Sequence, residues 1–224
     1  KYILKEGIPY DKSRYPKPGY WKFEDIDKNG EITDKDREVI GNANPKLYGG
    51  MTNTLTWKGF DLSIFLNFSI GNKVYSANKM YYTKFNNQWR NTLKDEALNR
   101  FTVMNAKGEY IFNDPVQLAE VNRNYVSIEG SSDLYFHSGY VEDGSFLKIN
   151  NISLGYTLPR ELTKKIKLST VRFYATGYNL HTFTKYSGYD PEVNTYPNNG
   201  LTPGIDWGAY PSSISFVFGA NIAF

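Results

Sequence analysis

The residues best suited to chemistry lie in one short stretch. Asp25, Asp27 and Asn29 alternate with Ile26 and Lys28, Gly30 follows, and Asp36 closes a twelve-residue loop. This is the spacing of calcium loops, which place side-chain oxygens at positions one, three, five and twelve. Position seven, here Glu31, would add its backbone carbonyl. Gly30 at position six permits the sharp turn, Thr33 would act through water, and Ile32 would tuck inward. Asp36 stands where a longer Glu usually grips the ion with both oxygens, so it would bind through one oxygen or demand a tighter loop. Pro16 and Pro18 oppose a helix before the loop. The expectation is a structural Ca2+ clamp held by Asp25, Asp27, Asn29, Glu31 and Asp36, rather than a calcium sensor.

No catalytic constellation accompanies it. No phosphate loop, dinucleotide fingerprint or nucleophile elbow is present, so the chain is not read as an enzyme. His137 and His181 stand alone and read as wall or loop residues. The basic run Lys164-Lys165-Ile166-Lys167 reads as a solvated turn.

The elements that must carry the loop are strands. Ile214, Phe216, Phe218, Ala220, Ile222 and Phe224 alternate with Ser213, Ser215, Val217, Gly219, Asn221 and Ala223. Period-two alternation over so long a run exceeds an ordinary soluble strand. Phe60, Leu62, Ile64, Leu66, Phe68 and Ile70 repeat the pattern. Met51, Asn53, Leu55 and Trp57 precede them across a tight turn at Lys58-Gly59. Ile152, Leu154 and Tyr156 alternate too, with Leu147 and Ile149 out of phase, which predicts a bulge near Asn150-Asn151. Val171, Phe173 and Ala175 begin a further strand. Asn91 to Phe101 fits a short amphipathic helix.

Composition sets limits on what these strands build. The chain has 224 residues, with 26 Lys plus Arg against 23 Asp plus Glu. That balance, spread evenly, excludes a nucleic-acid footprint. Cysteine is absent, which excludes disulfides and thiolate metal sites. Aromatics reach 17% while hydrophobic residues total only 40%, a mix that suits exposed ring surfaces such as an interfacial girdle. No apolar run approaches the roughly 20 residues of a membrane helix, but a membrane β-barrel remains compatible. Connections alternate between short (58–59, 159–168) and long (72–145, 182–210), as in an outer-membrane barrel. The chain opens on Lys1 without Met or signal peptide and is read as starting mid-protein.

Several segments in order resemble the C-terminal part of SusC/RagA-type TonB-dependent outer-membrane transporters of Bacteroidota. They are Phe23-Glu24-Asp25-Ile26-Asp27-Lys28-Asn29-Gly30 with its continuation to Arg37, then Asn44-Pro45-Lys46 and Trp57-Lys58-Gly59-Phe60-Asp61. Gly144-Ser145-Phe146-Leu147-Lys148-Ile149-Asn150-Asn151, Thr176-Gly177-Tyr178-Asn179-Leu180 and Tyr186-Ser187-Gly188-Tyr189-Asp190-Pro191 complete the set. The resemblance implies an all-β fold in which residues 1–224 supply about five C-terminal strands of an antiparallel transmembrane barrel of about 22 strands. The plug and earlier strands would lie outside the chain. Residues 21–45 would form an extracellular calcium-type loop, with further extracellular loops at 72–145 and 182–210.

The implied function is TonB-energised import of oligosaccharides or peptides through the outer membrane of a Gram-negative bacterium. The implied partners are a SusD-like lid lipoprotein, the TonB complex, outer-membrane lipid and the substrate, with transporter–lid pairs able to dimerise; nucleic acid is not among them, by the charge argument above. Tyr81, Tyr82, Trp89, Tyr196 and Trp207 are the candidate substrate or lid contacts, and Phe224 the barrel-assembly signal. The rival reading is a secreted soluble β-domain that binds glycans and carries a calcium-stapled loop.

Overall fold

The structure is a computed structural model that describes residues 23–83, 91–122, 136–192, 195 and 202–224. The chain divides into two compact units, Lys1–Ile40 with Asn78–His137, and Gly41–Ala77 with Ser138–Phe224. The described strands are β1 (Leu47–Trp57), β2 (Phe60–Ile70), β3 (Lys73–Ser76), β4 (Val141–Asp143), β5 (Phe146–Thr157), β6 (Thr170–Thr184), β7 (Ile205–Asp206) and β8 (Ser215–Ala223). Four short helices are described: α1 (Ala77–Tyr82), α2 (Lys94–Leu98), α3 (Pro115–Val121) and α4 (Arg160–Lys165). Among the described residues no helix is long and apolar enough to cross a membrane.

In the second unit, five long strands form one sheet in the order β1-β2-β5-β6-β8. Every neighbouring pair is antiparallel. Lys58 and Gly59, both at positive φ (47° and 89°), make the two-residue turn between β1 and β2. Such turns match the right-handed twist of the strands they join. The expected bulge is present: β5 shifts register between Ile149 and Asn151 against both neighbours. The extra residue restores phase, so Leu147 and Ile149 share a face with Ile152 and Leu154. On β6 the same irregularity is met at Asn179, which adopts a φ of 52°.

Register sorts the alternating residues onto two different faces. One row across the sheet runs Asn53, Ile64, Ile152, Gly177, Phe216, and the next runs Leu55, Leu62, Leu154, Ala175, Phe218. This face is apolar and largely uncovered: Trp57 is 67% exposed, Leu55 59%, Phe216 65% and Phe218 78%. The opposite face carries Thr54, Ser63, Ser153 and Thr176 in one row. Thr176 donates to Ser153 Oγ at 2.8 Å there. A sheet with water on both sides would not hold so broad an uncovered apolar face.

At the long-loop end, β3 pairs antiparallel with β4 and parallel with β7 in a small separate sheet. Val74, Tyr140, Phe146 and Tyr186 are buried in this unit. At the other end, the connection from β5 to β6 holds α4. In the first unit, Asp114 caps α3 by accepting from the N–H groups of Val116 and Gln117, and Pro115 takes the first helical position. The helix expected over 91–101 is shorter, with only Lys94–Leu98 helical. Leu93 has extended backbone and no side chain caps the start, so propagation begins late.

Candidate functional site

The twelve-residue loop folds around its own carboxylates. Asp25 accepts from the N–H of Gly30 (2.8 Å) and of Asn29 (3.2 Å). Asp27 Oδ1 accepts from Asn29 N–H at 3.2 Å, and Asn29 Oδ1 accepts from Glu31 N–H at 2.7 Å. Asp36 reaches back across the loop: its Oδ1 accepts from Ile26 N–H at 2.9 Å and its Oδ2 from Thr33 N–H at 2.6 Å. Thr33 in turn caps a short 3-10 helix, Asp34–Asp36, in a capping box with Asp36. Gly30 takes a φ of 84°, which lets the chain reverse with no Cβ penalty. The Thr33 N–H bond is the largest influence on Asp36 and lowers its carboxyl below the usual range. Partial desolvation opposes it, and bonds from Asp27 and Ile26 add to it.

Oxygens of Asp25, Asp27 and Asp36 all lie within 4.8 Å of one another. Three hard oxygen donors at that spacing fit a calcium ion, whose oxygen ligands sit roughly 2.3–2.6 Å away. Asn29 currently turns its amide nitrogen toward Asp27 Oδ2, at 2.9 Å.

Two polar devices on the sheet were not singled out in the sequence. Near the turn end, Arg172 on β6 pairs with Asp61 on β2, through Nε at 3.0 Å and Nη2 at 2.5 Å. The pair spans β5, where Gly155 lies between them. A Cβ at Gly155 would land 2.5 Å from Asp61 Oδ1, so the ion pair in this geometry occupies the space that glycine leaves open. Near the loop end, Lys148 on β5 is 4% exposed at its side chain and binds Glu192 Oε2 at 2.6 Å. It also donates to Ser212 Oγ at 3.2 Å. Asn67 Nδ2 donates to the other Glu192 oxygen at 3.0 Å. Asp190 then gathers Ser212 Oγ (2.6 Å) and the N–H groups of Ser212 and Glu192. Burial, the largest influence, raises the Asp190 carboxyl. The Ser212 and Glu192 bonds with Lys148 outweigh it and leave the group below its ordinary range. The available sequence signal was a charged residue, Asp61, Lys148 or Arg172, on otherwise hydroxyl-rich strand faces.

The aromatic candidates separate. Tyr81 and Tyr82 meet edge to face at 5.4 Å on α1. Trp207 follows β7 in the other unit, its backbone N–H donating to Thr195 Oγ1 at 2.6 Å. Trp89 and Tyr196 lie outside the described residues. Phe224 is 95% exposed beyond β8. His137 packs edge to face on Phe23 at 5.9 Å, and burial lowers its pKa to about 4.

No protein-family model matches the chain. The TonB-dependent receptor P3 of Formosa agariphila is 35% identical over 212 residues, covering 92% of this chain and 19% of that protein. The TonB-dependent receptor SusC of Bacteroides thetaiotaomicron is 27% identical over 203 residues, covering 90% of this chain and 17% of SusC. The chain belongs to the SusC/RagA type of TonB-dependent receptor. Among solved structures, the RagAB peptide transporter matches this fold with a TM-score of 0.66 at 22% identity, covering 88% of this chain and 19% of that one. The RagAB peptide importer in its open-open state gives the same score at 24% identity, covering 90% and 20%. The chain spans about a fifth of the length of the curated relatives it matches. SusC/RagA-type receptors are outer-membrane proteins of Gram-negative bacteria, and so is the protein that carries this chain.

Proposed function

We propose that the receptor carrying this chain imports nutrient oligomers, oligosaccharides or peptides, across the outer membrane. The five long strands are read as part of a closed antiparallel barrel of about 22 strands. The observation that carries this reading is the pairing of one continuous uncovered apolar face with one polar, ion-paired face. Lipid solvates the first and the aqueous lumen the second. Barrel closure would also satisfy the outer edges of β1 and β8, which pair on one side only within the described sheet.

A SusD-like lipoprotein would close the outer mouth, and TonB would supply energy through parts of the receptor beyond this chain. No bond in the substrate is made or broken. The strands of this chain hold a rigid wall, and the Lys148–Glu192 pair holds the 187–192 segment against it. The 25–36 loop is proposed to bind Ca2+ through Asp25, Asp27, Asn29, Glu31 and Asp36, as a structural clamp. The ion would neutralise three carboxylates that otherwise repel at short range. A soluble glycan-binding domain would instead leave the apolar face in water, at a cost that grows with its area.

The test is growth. A strain lacking this receptor is supplied with single oligosaccharides or peptides as sole carbon source. Loss of growth on one class, restored by the intact receptor and not in a TonB-deficient strain, is the expected result. Growth unchanged on every oligomer, with the receptor present and correctly inserted in the parent strain, would overturn import.

A further inference from the structure

The turn end of the sheet carries a charge pattern that import does not use. Its two connections, 58–59 and 158–169, hold five cations (Lys58, Arg160, Lys164, Lys165 and Lys167) and one acid, Glu161. The connections and the chain terminus come together there. Thr157 N–H donates to the Gly59 carbonyl, and Ser169 N–H donates to the Ala223 carbonyl, both at 2.8 Å. All five cations are exposed. None forms an ion pair among the described residues. The opposite end differs: Lys73 and Lys185 there lie near Asp143, and Lys148 is buried against Glu192.

Helix α4 adds an apolar component. Thr163 is fully buried and anchors the helix, with its Oγ1 donating to the Arg160 carbonyl at 3.2 Å. The Leu168 N–H closes the helix end on the Thr163 carbonyl at 3.0 Å. Leu162 and Ile166, one turn apart, remain 50% and 59% exposed. Lys167 takes the left-handed position (φ 56°) where glycine is usual, so a cation is kept at some backbone cost. The apolar sheet face ends beside these connections in Trp57, Phe60, Tyr156 and Phe173. Lys58 Nζ sits 4.9 Å from the Trp57 ring centre. Ring and ammonium side by side suit a membrane boundary, where the ring faces acyl chains and the charge reaches headgroups.

We propose that this end of the receptor is a docking surface for anionic glycerophospholipid headgroups. Helix α4 lies in the headgroup layer, Leu162 and Ile166 enter the acyl boundary, and the lysines and Arg160 engage phosphates. Basic residues flanking an exposed apolar pair on a short helix have the pattern of interfacial binding. Charge complementarity selects anionic over zwitterionic lipid, and continuity with the apolar sheet face sets the depth. The proposal rests on reading that face as lipid-facing.

The test uses the intact receptor in phosphatidylcholine nanodiscs containing a trace of spin-labelled phosphatidylglycerol or spin-labelled phosphatidylcholine. The readout is the motionally restricted fraction of each label. Expected is a several-fold preference for phosphatidylglycerol that falls in high salt. The variant Lys164→Gln/Lys165→Gln/Lys167→Gln, checked for folding by heat-modifiable gel mobility, brings the ratio close to one. Lys58→Gln/Arg160→Gln lowers it partway. Equal restriction of the two labels by the unaltered receptor overturns the docking surface while leaving the lipid-facing barrel intact. A preference retained in the triple variant also overturns it. If neither label is restricted, the lipid-facing reading fails and the proposal with it.

Discussion

Lys148 Nζ lies 2.6 Å from Glu192 Oε2, with the lysine side chain only 4% exposed. The pair ties a strand of the wall to a loop 44 residues further along the chain. Removing Lys148 leaves the Glu192 carboxylate without its buried partner, but Glu192 is 33% exposed, so water offsets part of the loss and the cost stays below that of a fully buried pair. Lys148→Met is therefore expected to release the 187–192 segment, read as faster amide exchange at Glu192 and Ser212. Lys148→Met with Glu192→Gln should recover part of that protection. Unchanged exchange in the single variant would refute the strap.

The calcium clamp predicts a response to metal. Chelation should raise amide exchange at Asn29, Gly30 and Glu31, and added Ca2+ should reverse it. Asp25→Ala with Asp27→Ala removes two of the three clustered carboxylates and should abolish the response. An exchange pattern indifferent to chelator in the unaltered protein would remove calcium from the account.

The two faces of the sheet predict opposite tolerance. Ile64 sits mid-row on the apolar face and Ser63 mid-row on the polar one. Ile64→Arg is expected to destabilise the folded receptor in bilayers by about 2–4 kcal/mol, the usual cost of a midplane cation. Ser63→Arg should stay near neutral. Urea titration in liposomes measures both, and equal penalties would contradict the assignment of faces.

Gly155 predicts a local failure. Gly155→Val should displace the Asp61–Arg172 pair, because the new side chain occupies the space between them. The loss should appear as weakened coupling in a double-mutant cycle of Asp61→Asn and Arg172→Gln made in the Gly155→Val background. Full coupling there would show that the pair bypasses this position.

Titration should weaken the fold in two windows. Burial lowers His137 from the ordinary 6.5 to about 4, so the unfolded chain takes up its proton first. Its contribution is whole above pH 6.5 and is lost as pH falls toward 4. Asp36 and Asp190 are also depressed, so their contribution holds above the ordinary 3.8 and is lost below it. Thermal unfolding across pH 7.5 to 3 should show an upper step that His137→Phe removes. An upper step retained in that variant would assign it elsewhere.

Much of the strand plan was legible locally. Alternation in β2 and β8, the turn at Lys58-Gly59 and the bulge at Asn150 follow from period-two side-chain placement, which each strand expresses without its neighbours. The helix within 91–101 was overextended, since its apolar spacing says nothing about whether the first turn nucleates. The loop spacing at 25–36 placed Asp25, Asp27 and Asp36 together because all the donors come from one short segment.

What the sequence alone determined about this protein is therefore what repeats or closes within a dozen residues: strand faces, tight turns and the acidic loop. The tertiary structure decided the long-range contacts. Asp61 and Arg172 are 111 residues apart and meet across β5, over the open space at Gly155. Likewise, β3 pairs in parallel with β7, a distant partner that no local pattern in either segment marks. The physical reason is that side-chain alternation is a property of the local backbone, whereas register and loop closure depend on which distant segments the whole chain brings side by side.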